Sequence, residues 1–359
     1  MYPSTPPETG RGSWADGRPA PAGPPRTPDR TPGPRGYPAG SEPASPPLDA
    51  PAPPTGHRSR DARPGEQRDR DVPVEPAEDA EEDIPPVPVR RMLSVAIAGF
   101  AALLGGGLVF GAYTAGPGAR IPFAMVVFGV QLLFVLAWTM AMRPPALPLV
   151  AAVAVLVAGA ADAAAVLPQI AALGPLGYVA AAGFAVGVLG QLVRSTDRAR
   201  VTESLGATLL IVVGVVSFAS LVVLSRIPIG TQAIFVCLVA TAVALVVARV
   251  TDALLPWPRM APQVPRGAAG VVLGAMFGTL AGAVVGSYLV GFDPTSGAMI
   301  GLVAAGAAVL ADLAAGYAEA GRLMAGEPPT MWVARHMQGP LGGFALAAPA
   351  AYAMSVFFL

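Results

Sequence analysis

The chain has 359 residues, of which 53% are hydrophobic and only 13% are charged. A soluble domain carries about 25% charged residues, so this composition excludes an ordinary soluble protein and predicts an integral membrane protein. The 23 basic residues balance the 23 acidic ones and are all arginine, and Cys237 is the only cysteine, which excludes a lysine-dependent mechanism and an internal disulfide.

The first region, residues 1–89, is rich in proline, arginine and acidic residues and contains 23 of the 40 prolines. Such a segment cannot bury enough apolar surface to offset the entropy lost when it becomes ordered. We therefore predict a disordered tail, which we place on the cytoplasmic side of the membrane.

Nine apolar segments follow, each near the length of about 20 residues that spans a bilayer. They predict an all-α, polytopic integral membrane bundle of about nine spans over residues 90–359. An eight-span alternative, in which the third and fourth segments merge, stays open because the loop between them is almost uncharged. The segments are 92–113, 121–142, 146–167, 173–193, 204–225, 229–251, 267–290, 296–318 and 339–358.

The distribution of arginine predicts the orientation, because cytoplasmic loops carry an excess of basic residues. With nine spans and the N-terminus inside, 11 arginines lie at cytoplasmic boundaries, and only Arg120 and Arg226 lie at the outer ones. We therefore expect a multi-pass protein of the inner cell membrane with its N-terminus in the cytoplasm and its C-terminus outside.

A stripe of glycines marks the seventh segment. Glycines spaced four residues apart advance about 40° per step around a helix and so share one face. Such a face lets two helices approach closely in lipid, and the loop to the eighth segment is short. We predict that these two helices pack as an antiparallel pair through Gly270, Gly274, Gly278, Gly282 and Gly286.

Few charges interrupt the apolar segments. Asp162 lies in the third segment, Asp312 lies deep in the eighth, and Glu319 lies near the end predicted to face the cytoplasm. Buried acids in a bilayer are costly unless they are paired or protonated, and they often mark a function. For Asp312 the sequence favours a functional role and a purely structural role equally. A transporter that uses Asp162 and Asp312 is one alternative, although the segments show no inverted repeat.

The loop after the eighth segment is the most polar part of this region. Apolar Met331 and Trp332 are followed there by polar Arg335 and His336, a composition that predicts a short interfacial helix. His336 has no His, Cys or Asp at metal-ligand spacing, so we predict no metal site.

Four stretches, in order, resemble the phosphatidate cytidylyltransferase (CDP-diacylglycerol synthase) family. They are LVRSTDRARVTESLGATLL, APQVPRGAAGVVLGAMFG, VLADLAAGYAEAG and ALAAPAAY. The third is similar to the family's Gly-Asp-Leu segment, which places Asp312 at its aspartate. The resemblance runs from about Arg90 to the end of the chain, with residues 266–359 as the family-like C-terminal part. It implies a multi-span enzyme that joins CTP to phosphatidate with magnesium.

The residues that the family uses for this chemistry are missing after Asp312. Aligned without gaps, Gly316 stands at the family's serine, and Gly339 and Gly342 stand at its later aspartates. Asp312, Glu319 and Asp252 are the remaining acids that could be relics of a catalytic site. Arg322, Arg335 and His336 are the remaining candidates for anion binding.

The sequence therefore predicts a catalytically inactive relative of these enzymes, a scaffold or regulator in phospholipid metabolism that needs no cofactor. We expect membrane lipids and another membrane protein as its partners, and no nucleic acid. The alternative is an active nucleotidyltransferase with altered magnesium ligands, drawn from Asp252, Asp312 and Glu319.

Overall fold

The computed structural model describes residues 87–115, 120–193 and 200–358. These residues form nine α-helices and no β-strand, and each helix is long and apolar enough to cross a bilayer. The predicted all-α, multi-span membrane bundle is thus confirmed, whereas nearly all of the predicted tail lies outside the described residues. The helices are α1 (Arg91–Ala115), α2 (Arg120–Met142), α3 (Leu147–Val166), α4 (Gly174–Val193), α5 (Val201–Leu224), α6 (Gly230–Leu254), α7 (Ala268–Tyr288), α8 (Pro294–Met324) and α9 (Trp332–Phe358).

The helix boundaries differ from the sequence prediction mainly near the C-terminus. Helices α3 and α4 are separate, with residues 167–173 between them, so the merged eight-span arrangement is not observed. Helix α8 continues to Met324 rather than ending at 318. The predicted separate interfacial helix is wrong, because residues 332–338 form the first two turns of α9 and bury Ala334 and Gln338 against the bundle.

Helix α5 lies in the centre of the bundle. Every residue from Ser217 to Leu224 is buried, so this last third of the helix has no exposed face. A helix that is apolar on all sides and buried on all sides is typical of the interior of a membrane bundle. Helix α5 packs against α2, α3 and α4, and α6 packs against α1, α7 and α8. Helix α9 packs against both α5 and α6, so it lies between the two groups.

The glycine stripe forms the whole buried face of α7, because its five glycines are the buried residues of that helix. At Gly278 an added Cβ would lie 2.8 Å from the carbonyl oxygen of Ala240 in α6 and 2.6 Å from the Cβ of Ala305 in α8. At Gly282 it would lie 2.7 Å from the Cα of Gly301. The stripe therefore packs against α6 as well as the expected partner α8.

Candidate functional site: a buried arginine–aspartate cluster

Asp312 binds two arginines inside the bundle. Its carboxylate is fully buried in α8. Arg266, in the loop before α7, donates from Nη1 to Asp312 Oδ2 at 2.5 Å. Arg249 of α6 donates from Nη2 to Asp312 Oδ1. Both oxygens of this acid are thus occupied by basic partners.

The same arginine joins a second buried acid. Arg266 Nε lies 2.7 Å from Asp252 Oδ2, and both side chains are almost completely buried. The backbone N–H of Gly267 donates to Asp252 Oδ1 at 2.9 Å. Asp252 therefore holds the first residues of α7 against the end of α6. We call Arg249, Asp252, Arg266 and Asp312 the arginine–aspartate cluster.

The local sequence explains how the cluster forms. Arg249 and Asp252 are three residues apart in α6, so they share one face of that helix. Arg266 lies at the end of the proline-rich loop from 255 to 267 and reaches back between α6 and α8. Two arginines and two aspartates balance in formal charge, which makes their joint removal from water tolerable.

The electrostatic setting of Arg266 follows from these contacts. Burial lowers the pKa of its guanidinium, but the neighbouring carboxylates of Asp312 and Asp252 outweigh that effect and hold the pKa above its ordinary value. Arg266 therefore stays charged at neutral pH. Its charge is a permanent part of the cluster.

Two glycines make room for the cluster. A Cβ added at Gly339 of α9 would lie 3.0 Å from Asp312 Cγ and 3.1 Å from Arg249 Nη2, and still closer to the carboxylate oxygen. A Cβ at Gly270 of α7 would lie 3.0 Å from Asp252 Cγ and 2.8 Å from the carbonyl oxygen of Ala248. Only glycine lets these two helices pass so close to the charged groups.

A cavity of about 290 Å³ opens beside the cluster, between the start of α1, the α6–α7 loop, the end of α8 and the start of α9. We call it the arginine cavity, because four arginines but only two carboxylates line it. These charged residues are Arg90, Arg249, Arg266, Arg335, Asp312 and Glu319.

Several polar atoms at the cavity are left without partners. Nη2 of Arg266 and Nε of Arg249 are buried and make no hydrogen bond within the described residues. Nε2 of His336, which also lines the cavity, is in the same state. Buried polar groups are normally hydrogen-bonded. These unpartnered nitrogens therefore leave hydrogen-bonding capacity unused beside the cavity.

Glu319 has a basic partner of its own. Arg335 Nε lies 2.7 Å from Glu319 Oε1, and both side chains are about one-fifth exposed. His336 makes an edge-to-face contact with Trp332, with ring centroids 5.5 Å apart. Arg322, by contrast, lies in the last turn of α8 and does not line the cavity.

The structure brings most of the sequence candidates together. Asp252 and Asp312 share Arg266, while Glu319, Arg335 and His336 lie around the same cavity. Sequence reasoning missed Arg249 and Arg266 as site residues and counted them only among the arginines at the cytoplasmic boundaries. A buried aspartate in a bilayer needs a cation, and that requirement was the available signal. Within the described residues, no group of three His, Cys, Asp or Glu side chains could hold a metal ion.

Asp162 lies in a different part of the bundle. It accepts a hydrogen bond from Gln131 of α2, and its surroundings are α2, α3 and α5. The cluster belongs to α6, α8 and the loop between α6 and α7. The structure therefore places Asp162 and Asp312 in two separate sites.

Comparison with known proteins adds no relative: no protein-family model matches the chain, and no curated protein or solved structure matches it.

Proposed function

We propose that this multi-pass membrane protein is a non-catalytic relative of the phosphatidate cytidylyltransferases, and that its arginine cavity binds the phosphate of an anionic membrane lipid. In this role it acts as a scaffold or regulator in phospholipid metabolism. The single observation that carries the proposal is that every acid of the candidate site is paired with arginine, while unpaired N–H groups of arginine remain beside a cavity.

The first support is the state of the carboxylates. A magnesium ion needs oxygen ligands that can turn toward it. Asp312 has an arginine on each oxygen, Asp252 is held by Arg266 and Gly267, and Glu319 is paired with Arg335. The residues present therefore do not fit a magnesium site. This argues against the alternative of an active enzyme that takes its metal ligands from these acids.

The second support is the position of Gly339. By the family resemblance this residue stands where an active enzyme has an aspartate. Here Asp312 and Arg249 fill the space that any side chain at 339 would need. The ion pair of Asp312 and Arg249 therefore occupies the place of the lost carboxylate, which is consistent with a fold that has exchanged metal binding for a fixed ion pair.

The third support is the chemistry of the cavity. Arginine guanidinium groups bind phosphate oxygens through charge-assisted hydrogen bonds. Arg266 and Arg249 line the cavity, and each keeps one buried N–H group without a hydrogen-bond partner, while the partly exposed Arg335 lies at the cavity edge. It also lies at the ends of spanning helices, the level at which lipid head groups are found.

Native mass spectrometry of the full chain in nanodiscs tests the proposal. The bilayers would be phosphatidylcholine with either phosphatidic acid or phosphatidylglycerol, and inorganic phosphate would be added to a third sample. We expect retention of the anionic lipids, with an affinity that drops roughly tenfold in Arg335→Gln, the equivalent of one charge-assisted hydrogen bond.

Arg322→Gln is the matched control, because it removes an arginine from the same end of the bundle but outside the cavity. Equal losses in the two variants, or retention of phosphatidylcholine as strongly as the anionic lipids, would contradict the proposal. Retention of inorganic phosphate alone would show that the site takes the free anion and not a lipid.

We also infer that the end of the bundle with the arginine cavity faces the cytoplasm across the inner membrane, so that the N-terminus lies inside and the C-terminus outside. The excess of arginine at this end supports the orientation, even when the arginines that are buried in the cluster are left out of the count. Arg249 and Arg266 are committed to the internal cluster. Without them the count is still nine arginines at that end against Arg120 and Arg226 at the other.

A further inference from the structure

A second polar site lies away from the arginine cavity, where α2, α3 and α5 meet. Gln131 is fully buried, and Asp162 is only 8% exposed. Gln131 Nε2 donates one hydrogen to Asp162 Oδ1 and the other to the carbonyl oxygen of Val215, each at 3.1 Å. The amide nitrogen has therefore used both of its hydrogens.

Two acceptors remain at this site without a donor. Asp162 Oδ2 and Gln131 Oε1 are both buried, and neither accepts a hydrogen bond within the described residues. An ionised carboxylate can only accept hydrogen bonds. Ionised Asp162 would thus be a charge inside an apolar bundle with a single neutral hydrogen-bond donor, which is a costly state.

The helices packed around Asp162 supply no cation. Helix α3 packs against α2, α4 and α5. Helix α4 contains no charged residue, and the charged side chains of the other two, Arg120 and Glu203, lie at helix ends. Arg226, which follows α5, donates to the carbonyl oxygens of Ala165 and Pro168. Among the described residues, none forms an ion pair with Asp162.

We propose that Asp162 is a proton-binding site: it holds its proton on Oδ2 in the folded protein at neutral pH. A proton there turns an unsatisfied acceptor into an O–H donor and removes the uncompensated charge. The ligand of this site is thus the proton itself. The site is separate from the arginine cavity, whose acids are paired with arginine.

Infrared spectroscopy of the full chain in nanodiscs, with aspartate labelled by ¹³C at the side-chain carboxyl, tests this assignment. A protonated carboxyl gives a C=O band separate from that of a carboxylate, and the band shifts when the proton is exchanged for deuterium. We expect this band in the wild type from acidic to neutral pH and its loss in Asp162→Asn. The stability of Asp162→Asn should equal or exceed that of the wild type, because a neutral amide has nearly the shape of the acid.

Asp293→Asn is the matched control. Hydrogen bonds from Ser296 and Thr295 hold the pKa of Asp293 below its ordinary value, so this exposed residue is ionised at neutral pH. Its replacement should leave the band unchanged. A neutral-pH spectrum that is the same in the wild type and in Asp162→Asn would overturn the proposal, as would a marked loss of stability in Asp162→Asn.

Discussion

Arg266 and Asp312 are 46 residues apart in the sequence and meet inside the bundle, where Arg266 Nη1 donates to Asp312 Oδ2 at 2.5 Å. The same guanidinium lies 2.7 Å from Asp252, so one arginine joins the end of α6 to the middle of α8. Asp252 forms its ion pair with this arginine, and Asp312 shares it with Arg249 as a second basic partner.

The loss of this arginine should therefore be costly. Removal of one partner of a buried ion pair typically costs about 3–5 kcal/mol, because it leaves the other charge buried and uncompensated. We expect Arg266→Met to lower the thermal stability of the detergent-solubilised protein sharply, as measured by size-exclusion chromatography after heating. Arg322→Met, which removes an arginine outside the cluster, should have little effect. Equal shifts in the two variants would show that the cluster does not hold the helices together.

A smaller change at Gly339 tests the same packing from the side of α9. In Gly339→Ala the new methyl group would overlap the Asp312 carboxylate and press on Arg249. We expect a clear drop in the same stability measurement. The control is Gly306→Ala in α8, because a Cβ at Gly306 meets no atom within 4 Å. That variant should be unchanged or up to about 1 kcal/mol more stable, since alanine favours the helix. A Gly339→Ala protein as stable as Gly306→Ala would contradict the described packing.

The glycine stripe gives a third prediction. A leucine at Gly278 has no space between α6 and α8, because even its Cβ would lie 2.8 Å from the Ala240 carbonyl oxygen. Gly278→Leu should push α7 away from both neighbours and lower membrane abundance and thermal stability. Met276 is 60% exposed on the same helix, so Met276→Leu should leave both quantities unchanged. If both variants lost the same amount, the stripe would not be the packing surface.

The proposed topology predicts opposite positions for two loops. A reporter fused after Arg198, between α4 and α5, should report the cytoplasm. A reporter fused after Asp293, between α7 and α8, should report the outside. The reason is the arginine bias between the two ends of the bundle. Paired phosphatase and fluorescent-protein fusions at each site would measure this, and the same side for both would exclude the nine-span alternation.

The fold could be predicted from the sequence because its signals are local. Apolar segments of spanning length locate all nine helices, and four-residue glycine spacing identifies the face of α7 that is buried. The end of α8 and the start of α9 were misplaced because their residues are polar. Glu319 and Arg335 lie in these helical turns and form an ion pair with each other, a contact between α8 and α9 that local hydropathy does not detect.

The site was only partly predictable, because it depends on contacts between residues distant in the sequence. Asp312 stood out as an acid in an apolar segment, but its partners are 46 and 63 residues away. Arg249 appeared to be one of several arginines at a membrane boundary. Only the packing of α6 against α8 shows that the side chain of Arg249 points inward. Through this contact Asp312, which the sequence offers as a metal ligand, becomes one half of an ion pair.

The most direct test of the account is an assay of the purified full chain in phosphatidate-containing vesicles with radiolabelled CTP and Mg²⁺. An active phosphatidate cytidylyltransferase in the same vesicles serves as the positive control. Because Asp312, Asp252 and Glu319 are committed to arginines, we predict that this protein forms no CDP-diacylglycerol. Magnesium-dependent formation of CDP-diacylglycerol that disappears in Asp312→Asn would contradict the account and identify the protein as an enzyme with altered ligands.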